Sequence, residues 1–165
     1  MAINEGLIGE LEMEAATTRK VLERIPAEVF DWKPHEKSMT MGRLATHVAD
    51  MFAWYIPTLE ADELDFAAGY EEPKCANAED LTAVLDKNVA AATESLRKTD
   101  DETLRKLWKL RNGENVFFEI PKIQVLRGMV MNHIIHHRGQ LSVYLRLNSI
   151  PVPAIYGPSA DEGSM

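Results

Sequence analysis

The sequence feature that most constrains the fold is an apolar helical face that also carries histidines, within a helix predicted between Pro121 and Asn148. At the helical repeat of 3.6 residues, His133 and His137 stand one turn apart on one face, whereas His136 is displaced by about 60°. The apolar residues of that face are Leu126, Val130, Ile134, Leu141, Tyr144 and Leu145. The two imidazoles are therefore predicted to point into the core, where they either form hydrogen bonds or share a metal ion.

Two further helices are predicted in the first part of the chain. Residues 3–25 have apolar side chains at helical spacing, with acidic residues early and basic residues late, as the helix dipole prefers. Ser38 or Thr40 can cap a second helix that reaches Leu59. Pro57 is predicted to kink the last turn of that helix or to end it early.

The middle of the chain predicts one more helix and a hairpin. Residues 62–77 have no sustained periodicity and predict a long loop that serves as a lid over one end of the fold. Residues 78–98 predict an alanine-rich third helix. Residues 104–120 contain two short runs around Asn112-Gly113, a strong turn signal, so they predict either a short β-hairpin or a loop without a ladder.

Length, charge and cysteine content exclude several classes of protein. A chain of 165 residues is the size of one domain, so residues 1–165 are predicted to form a single domain. No apolar run approaches the roughly 20 residues that span a bilayer, and no secretory signal is visible, which predicts a cytoplasmic protein without membrane contact. Cys75 is the only cysteine, so no internal disulfide forms, and the net charge of −8 opposes binding to nucleic acid.

The four amphipathic helices predict an all-α fold, an antiparallel four-helix bundle with a possible β-hairpin between helices three and four. In such a bundle the second helix faces the fourth, which brings His47 to the depth of His133 and His137. Three neutral imidazoles without a fourth protein ligand form an open metal site, in which water or substrate completes the coordination. His35 and Cys75 are not placed to close it.

Three stretches resemble the DinB-like family over nearly the whole chain. They are residues 38–48 (SMTMGRLATHV), 132–141 (NHIIHHRGQL) and 155–162 (IYGPSADE). The resemblance implies a four-helix bundle with long crossover connections, often a homodimer, that carries a divalent metal on three histidines. These histidines map to His47, His133 and His137, and nickel or zinc is the usual metal.

The same resemblance guides the prediction of activity, because the wider superfamily includes bacillithiol transferases and mycothiol-dependent maleylpyruvate isomerases. A metal-bound thiol is held as the nucleophilic thiolate, which predicts a metal-dependent thiol S-transferase acting on small electrophiles. The alternatives are a metal-dependent hydrolase and a non-catalytic stress protein that binds a metal or a ligand. His136, Arg138 and Gln140 are predicted to support the metal ligands or to pack between helices, with packing favoured for Arg138 and Gln140.

Overall fold

Helices account for most of residues 2–163, which are the residues described by the computed structural model. The helices are α1 (Ile3–Leu22), α2 (Met41–Asp50), α3 (Tyr55–Glu60), α4 (Ala78–Arg97), α5 (Asp101–Arg105), α6 (Lys122–Gln124) and α7 (Asn132–Leu147). The strands β1 (Glu63–Asp65), β2 (Leu107–Asn112) and β3 (Asn115–Pro121) form one sheet. The mostly helical prediction is confirmed, but the fold is not all-α because this sheet has three strands. Ser164 and Met165, the end of the predicted tail, lie outside the described residues.

The long helices contact one another around a single main core. Helix α4 packs against α1 and α2, and α7 packs against the same two helices, so helix two does face helix four as predicted. The centre of this core consists of fully buried aliphatic side chains, among them Leu11, Leu22, Leu44, Val48, Leu81, Val130, Ile134 and Leu141. No helix within residues 2–163 combines the length and apolar character needed to cross a membrane. The antiparallel order of a four-helix bundle stays a prediction.

The second helical stretch is not one uniform helix. The hydroxyl of Thr40 caps α2 by accepting a hydrogen bond from the backbone N–H of Arg43 at 3.2 Å, which confirms one of the two predicted caps. The chain then tightens into a 3₁₀ turn at Met51–Trp54 before it continues as α3. Pro57 explains this change, because a proline cannot donate a backbone hydrogen bond and its ring crowds the carbonyl four residues earlier, at Ala53.

The last long helix differs from the regular α-helix that was predicted. After Pro121 the chain forms one α-helical turn and then a π-helix at Val125–Met131, which leads directly into α7. The N–H of Asn132 bonds to the carbonyl of Arg127, five residues back. Val125 and Val130, also five residues apart, are both fully buried. The wider turn therefore keeps apolar side chains on the core side immediately before the histidines.

The predicted hairpin is confirmed, and a third strand joins it. Strands β2 and β3 pair antiparallel, with Trp108 opposite Ile120, and Gly113 turns between them with φ of 58°. The region 62–77 is not only a loop as predicted, because it supplies β1, which pairs parallel to β2. Trp108 is fully buried, and its indole N–H donates to the carbonyl of Pro57 at 2.9 Å. The sheet is thereby joined to the end of the second helical stretch.

A buried lysine joins the same end of α3 to the start of the last helix. Lys122 is only 2% exposed, and its ammonium group donates to the carbonyls of Leu59 at 3.1 Å and Ala61 at 2.6 Å. These carbonyls lie at the C-terminal end of α3, where a positive charge is favoured by the helix dipole. The ammonium therefore satisfies backbone groups that the short helix leaves without partners.

A buried ion pair connects α7, α1 and the C-terminal segment. Arg138 is 1% exposed and pairs with the carboxylate of Glu14 at 2.7 Å. Its guanidinium group also donates to the hydroxyl of Thr18 at 3.1 Å and to the hydroxyl of Tyr156 at 2.5 Å, and Tyr156 in turn donates to Glu14 at 2.8 Å. The segment after residue 149 runs over the helices as the predicted strap, and this network holds it there.

Replacing Arg138 by methionine should destabilise the protein strongly. The Arg138→Met variant keeps most of the side-chain volume but leaves the Glu14 carboxylate buried without its cation, which typically costs about 3–5 kcal/mol. Lys98→Met is the control, since Lys98 pairs with the exposed Glu94 on the surface and should have little effect. Urea unfolding measures the free energy of unfolding of both variants. Equal values for the two variants would show that the buried ion pair stabilises the protein no more than the surface pair does.

Candidate metal centre

Three histidines from two helices meet at one point. The Nε2 atom of His133 lies 3.2 Å from Nε2 of His47 and 2.7 Å from Nε2 of His137. His47 comes from α2, and the other two come from successive turns of α7. One potential ligand atom from each residue lies within 4.8 Å of the others, so the three could hold a metal ion together. The structure thus brings together the three histidines that the sequence predicted.

The packing of α2 against α7 determines how deep this cluster lies. Ile134, Arg138 and Leu141 occupy the centre of the buried face of α7, so the two histidines of that helix stand at its edge. The three histidines of the triad are half-buried. The prediction that their imidazoles point into the core rather than into water is therefore only partly correct. An edge position leaves the cluster open to small molecules while its neighbours still exclude much of the water.

A glutamine orients one ring of the triad. The side-chain oxygen of Gln140 lies 2.6 Å from Nδ1 of His137. An amide oxygen only accepts hydrogen bonds, so Nδ1 carries the ring proton and Nε2 keeps a free lone pair directed at the cluster. The packing role predicted for Gln140 is therefore wrong, whereas Arg138 does have the packing role that was predicted. His136 is exposed beside His137 and does not join the cluster.

The surroundings favour the neutral form of two imidazoles of the triad, those of His133 and His47. Burial, together with the smaller effects of the neighbouring His137, His47 and His136, lowers the pKa of His133 to about 4. Burial also lowers the pKa of His47, with additional effects of His137 and Arg43. Neutral imidazole is the form that binds metal ions. Three converging nitrogen ligands suit a borderline divalent ion such as zinc or nickel, so the donor set fits the metal implied by the resemblance.

The other two residues considered as ligands lie elsewhere, as predicted. His35 is exposed, and its Nδ1 accepts a hydrogen bond from the backbone N–H of Lys37 at 3.2 Å. Cys75 is half-buried, and burial raises the pKa of its thiol, so the reactive thiolate is disfavoured. Neither residue belongs to the group that could hold an ion.

Hollows adjoin each of the three histidines of the triad. A cavity of about 430 Å³ includes His47 in its wall, together with Trp54, Phe66 and the buried Asp50. A more open groove of about 480 Å³ runs along the last helix past His133 and His137. Sequence reasoning missed the cavity, although Asp50 lies three residues after His47 and thus on the same side of α2. Two separate approaches to one cluster can admit two reactants.

Asp50 is held inside the cavity by a tyrosine from the segment after β1. The Tyr70 hydroxyl donates a hydrogen bond to its carboxylate. Burial raises the pKa of Asp50, while this hydrogen bond and a second one from Asn88 act in the opposite direction. The contact connects the region 62–77, predicted to be a lid, to the helix that carries His47.

Comparison with known proteins agrees with this structure. The sequence profile of the DinB family matches residues 4–164. The chain belongs to the DinB family. A curated relative, the uncharacterized protein YrdA of Bacillus subtilis (strain 168), is 29% identical over 156 residues, which cover 92% of this chain and 86% of the relative.

Solved structures of other DinB-like proteins have the same fold. The protein from Bacillus cereus ATCC 10987 superposes with a TM-score of 0.70 at 24% identity, covering 94% of this chain and 98% of its own. The YjoA protein of Bacillus subtilis gives a TM-score of 0.69 at 19% identity and covers 88% and 95% of the two chains. A putative DinB family member from Exiguobacterium sibiricum 255-15 gives 0.65 at 21% identity, covering 90% and 94%. At these identities the likeness establishes the fold alone.

Removing any one histidine of the triad from this DinB family member should abolish most of its metal binding. Protein purified without a nickel column should contain close to one divalent ion per chain, and His47→Ala, His133→Ala and His137→Ala should each lose most of it because two imidazoles hold an ion much more weakly. His136→Ala and His35→Ala are the controls and should keep the metal. Elemental analysis by mass spectrometry measures the content, and undiminished metal in a triad variant would remove that residue from the site.

In the metal-free protein, the triad should make stability depend on pH. The pKa of His133 is about 4 in the folded chain, against an ordinary value of 6.5. As the pH falls from 6.5 towards about 4, His133 takes up a proton in the unfolded chain but not in the folded chain. The free energy of unfolding therefore decreases. His133→Gln should therefore lose less thermal stability than the parent chain between about pH 7 and pH 4.

This comparison is made by circular dichroism in the presence of a chelator. The matched control is His35→Gln, which changes an exposed histidine outside the triad and should follow the profile of the parent chain. A His133→Gln profile as steep as that of the parent would show that this histidine does not resist protonation in the folded state.

Proposed function

We propose that this chain is a metal-dependent thiol S-transferase that acts on small electrophiles. In this proposal His47, His133 and His137 hold one divalent ion, zinc or nickel, and a low-molecular-weight thiol is the second reactant. The convergence of three imidazoles without a fourth ligand is the observation that supports it, since among residues 2–163 the potential metal-binding group contains these three side chains only. A closed structural site would normally have four protein ligands.

Each part of the site has a task in this reaction. A divalent ion held by the three imidazoles would have a free coordination position and would keep a thiol deprotonated, in its nucleophilic form. Gln140 holds the ring of His137 in the orientation and tautomer that the ligand role requires. The thiol sulfur attacks the electrophilic carbon, a carbon–sulfur bond forms, and the leaving group departs with its bonding electron pair. The proton of the thiol passes to solvent through the open side of the cluster.

The proposal extends to assembly and location. We propose a homodimer in the cytoplasm that binds no nucleic acid, on the basis of the family resemblance and the acidic composition. Val143 and Leu147 stand one turn apart on α7, 56% and 59% exposed, and such an apolar pair supports a contact between two chains.

A cobalt-substituted protein should report directly on thiol binding. When a thiol sulfur coordinates cobalt, an intense charge-transfer band appears in the near ultraviolet, so bacillithiol, mycothiol or glutathione should produce that band. The same thiol should react faster with a chlorinated nitroaromatic in the presence of the metal-loaded protein. His133→Ala should lose both effects, and His136→Ala should keep both.

The outcomes separate the three candidate functions. Thiol coordination with turnover supports the transferase. Cleavage of an ester or amide without any thiol would replace it by the metal-dependent hydrolase, and ligand binding without turnover of any kind would replace it by the non-catalytic binding protein. Failure of all common thiols to change the cobalt spectrum would refute the proposal.

A further inference from the structure

We propose that Arg43 binds a carboxylate of the thiol, so that the thiol substrate is an acidic one, with its sulfur at the triad and its carboxylate at this guanidinium group. This inference rests on the proposed function and deepens it, because it names the class of thiol. Arg43 combines a position beside the triad, a guanidinium group without a partner and an adjoining recess.

Arg43 stands one turn before His47 on α2. Side chains four positions apart lie on the same face of a helix, with Cβ atoms about 5–6 Å apart. The charge of Arg43 also acts on this histidine, since burial, His137 and Arg43 together lower the pKa of His47. The guanidinium group is therefore within electrostatic range of a ligand bound at the triad.

The guanidinium group of Arg43 has no partner within residues 2–163. It forms no ion pair and no side-chain hydrogen bond there, unlike most arginines of the chain, and it is exposed. The paired arginines are Arg19, Arg24, Arg105, Arg111, Arg127, Arg138 and Arg146. A planar guanidinium group suits a carboxylate because it offers two parallel N–H donors. Arg43 can therefore bind an acidic ligand without breaking an existing contact.

The backbone at the N-terminus of α2 does not offer an alternative anion site. Its first N–H groups already have acceptors, because those of Met41 and Gly42 donate to carbonyls of the preceding loop at 2.8 Å and 2.9 Å. The N–H of Arg43 donates to the hydroxyl of Thr40 at 3.2 Å. The side chain of Arg43 is therefore the free cationic donor that α2 presents at this end.

Arg43 also lines a recess of about 490 Å³ at the same end of α2. Lys74 adds a second positive charge to its wall, and Asp31 and Glu72 add carboxylates that suit an amine. Glu72 belongs to the wall of the cavity beside His47 as well, so the two spaces adjoin. A thiol with its sulfur at the triad thus has room for a polar body on the side of Arg43.

A ligand with two negative groups is the best match for a triad that holds a divalent ion. Imidazoles bind a metal in their neutral form, so one thiolate would compensate only half of the charge of the ion. Arg43 adds a further positive charge on one side of His47. Asp50, on the other side, lies three residues after His47 and accepts a hydrogen bond from Tyr70. The carboxylate of an acidic thiol is therefore directed away from Asp50 and towards Arg43.

Two thiols of equal length, 3-mercaptopropionate and 3-mercaptopropionamide, test this contact because they differ in the charge of one end. Their affinities for the cobalt-loaded protein are measured at low ionic strength from the charge-transfer band between sulfur and cobalt. Arg43→Gln should weaken binding of the acid at least about threefold, as expected for one exposed ionic contact, and should leave binding of the amide nearly unchanged.

The ratio of the two affinities distinguishes Arg43 from the ion as the partner of the carboxylate. Any effect of Arg43→Gln on the ion or on His47 changes the binding of both thiols alike and cancels in this ratio. A carboxylate that bound the ion directly would keep its advantage over the amide in the variant. The same ratio in Arg43→Gln and in the parent protein would therefore overturn the inference.

Arg97→Gln is the matched control, because Arg97 is an exposed arginine on α4 that forms no ion pair within the described part of the chain. It should leave the affinities for both thiols unchanged. A loss of acid binding as large as that in Arg43→Gln would reveal a general effect of net charge, and it would overturn the inference as well.

The natural thiols divide in the same way. Glutathione and bacillithiol carry carboxylates, so both should bind more weakly to Arg43→Gln than to the parent protein. Mycothiol has no free carboxylate and should bind equally to the two. Weakening of mycothiol by the same factor as the acidic thiols would contradict a contact between Arg43 and a carboxylate.

The cobalt band also separates this inference from the proposed function. A band with both test thiols that does not respond to Arg43→Gln would refute this inference and leave the transferase standing. A response to Arg43→Gln without faster reaction of any thiol with the chlorinated nitroaromatic would support the contact and refute the transferase. Absence of the band with every thiol would refute both.

Discussion

The burial of α2 against the last helix is the interaction on which the rest of the structure depends. Leu44 and Val48 from one helix and Ile134 and Leu141 from the other are almost fully removed from water, and each such side chain contributes roughly 1.5–3 kcal/mol. Three imidazoles held with their nitrogens about 3 Å apart cannot all become charged, and their convergence opposes folding when no ion binds. The apolar contact offsets that cost and holds the histidines together.

The last helix also carries a second polar cluster, which is a buried ion pair between fully charged side chains. Arg138 follows His137 directly in the sequence but lies at the centre of the buried face, where Glu14 and Tyr156 satisfy it. The triad needs access to ligands and lies at the edge of that face, whereas the ion pair needs to be shielded from water and lies inside it. Adjacent positions of one helix thus hold a potential metal ligand and a structural ion pair.

The sequence contained enough information to predict the parts of the fold that depend on local spacing. Apolar periodicity predicted the long helices, Thr40 was among the predicted caps, Asn112-Gly113 indicated the hairpin, and histidine spacing with the helix order indicated the triad. The π-helix was missed because the four-residue spacing of Leu126 and Val130 also fits an ordinary helix. Strand β1 was missed because three residues carry no periodic signal, and it exists through pairing with a distant strand.

The cavity and the orientation of the Gln140 amide could not be predicted from the sequence, for a related reason. A cavity is formed by side chains from separate segments, here α2, the turn before α3 and the segment after β1, and its depth depends on how those segments approach one another. Gln140 lies three residues after His137, a spacing that fits packing equally well. The direction of its amide is a matter of side-chain conformation, which spacing does not specify.

The order of these parts along the chain has a consequence for biosynthesis. Every residue that lines the cavity precedes the last helix, and so do the strands that support it, whereas two of the three histidines lie on that helix. A chain is synthesised from its N-terminus, so the walls of the cavity leave the ribosome before a metal site can exist. An ion held by the triad would therefore bind only after the last helix has been synthesised and has packed against α2.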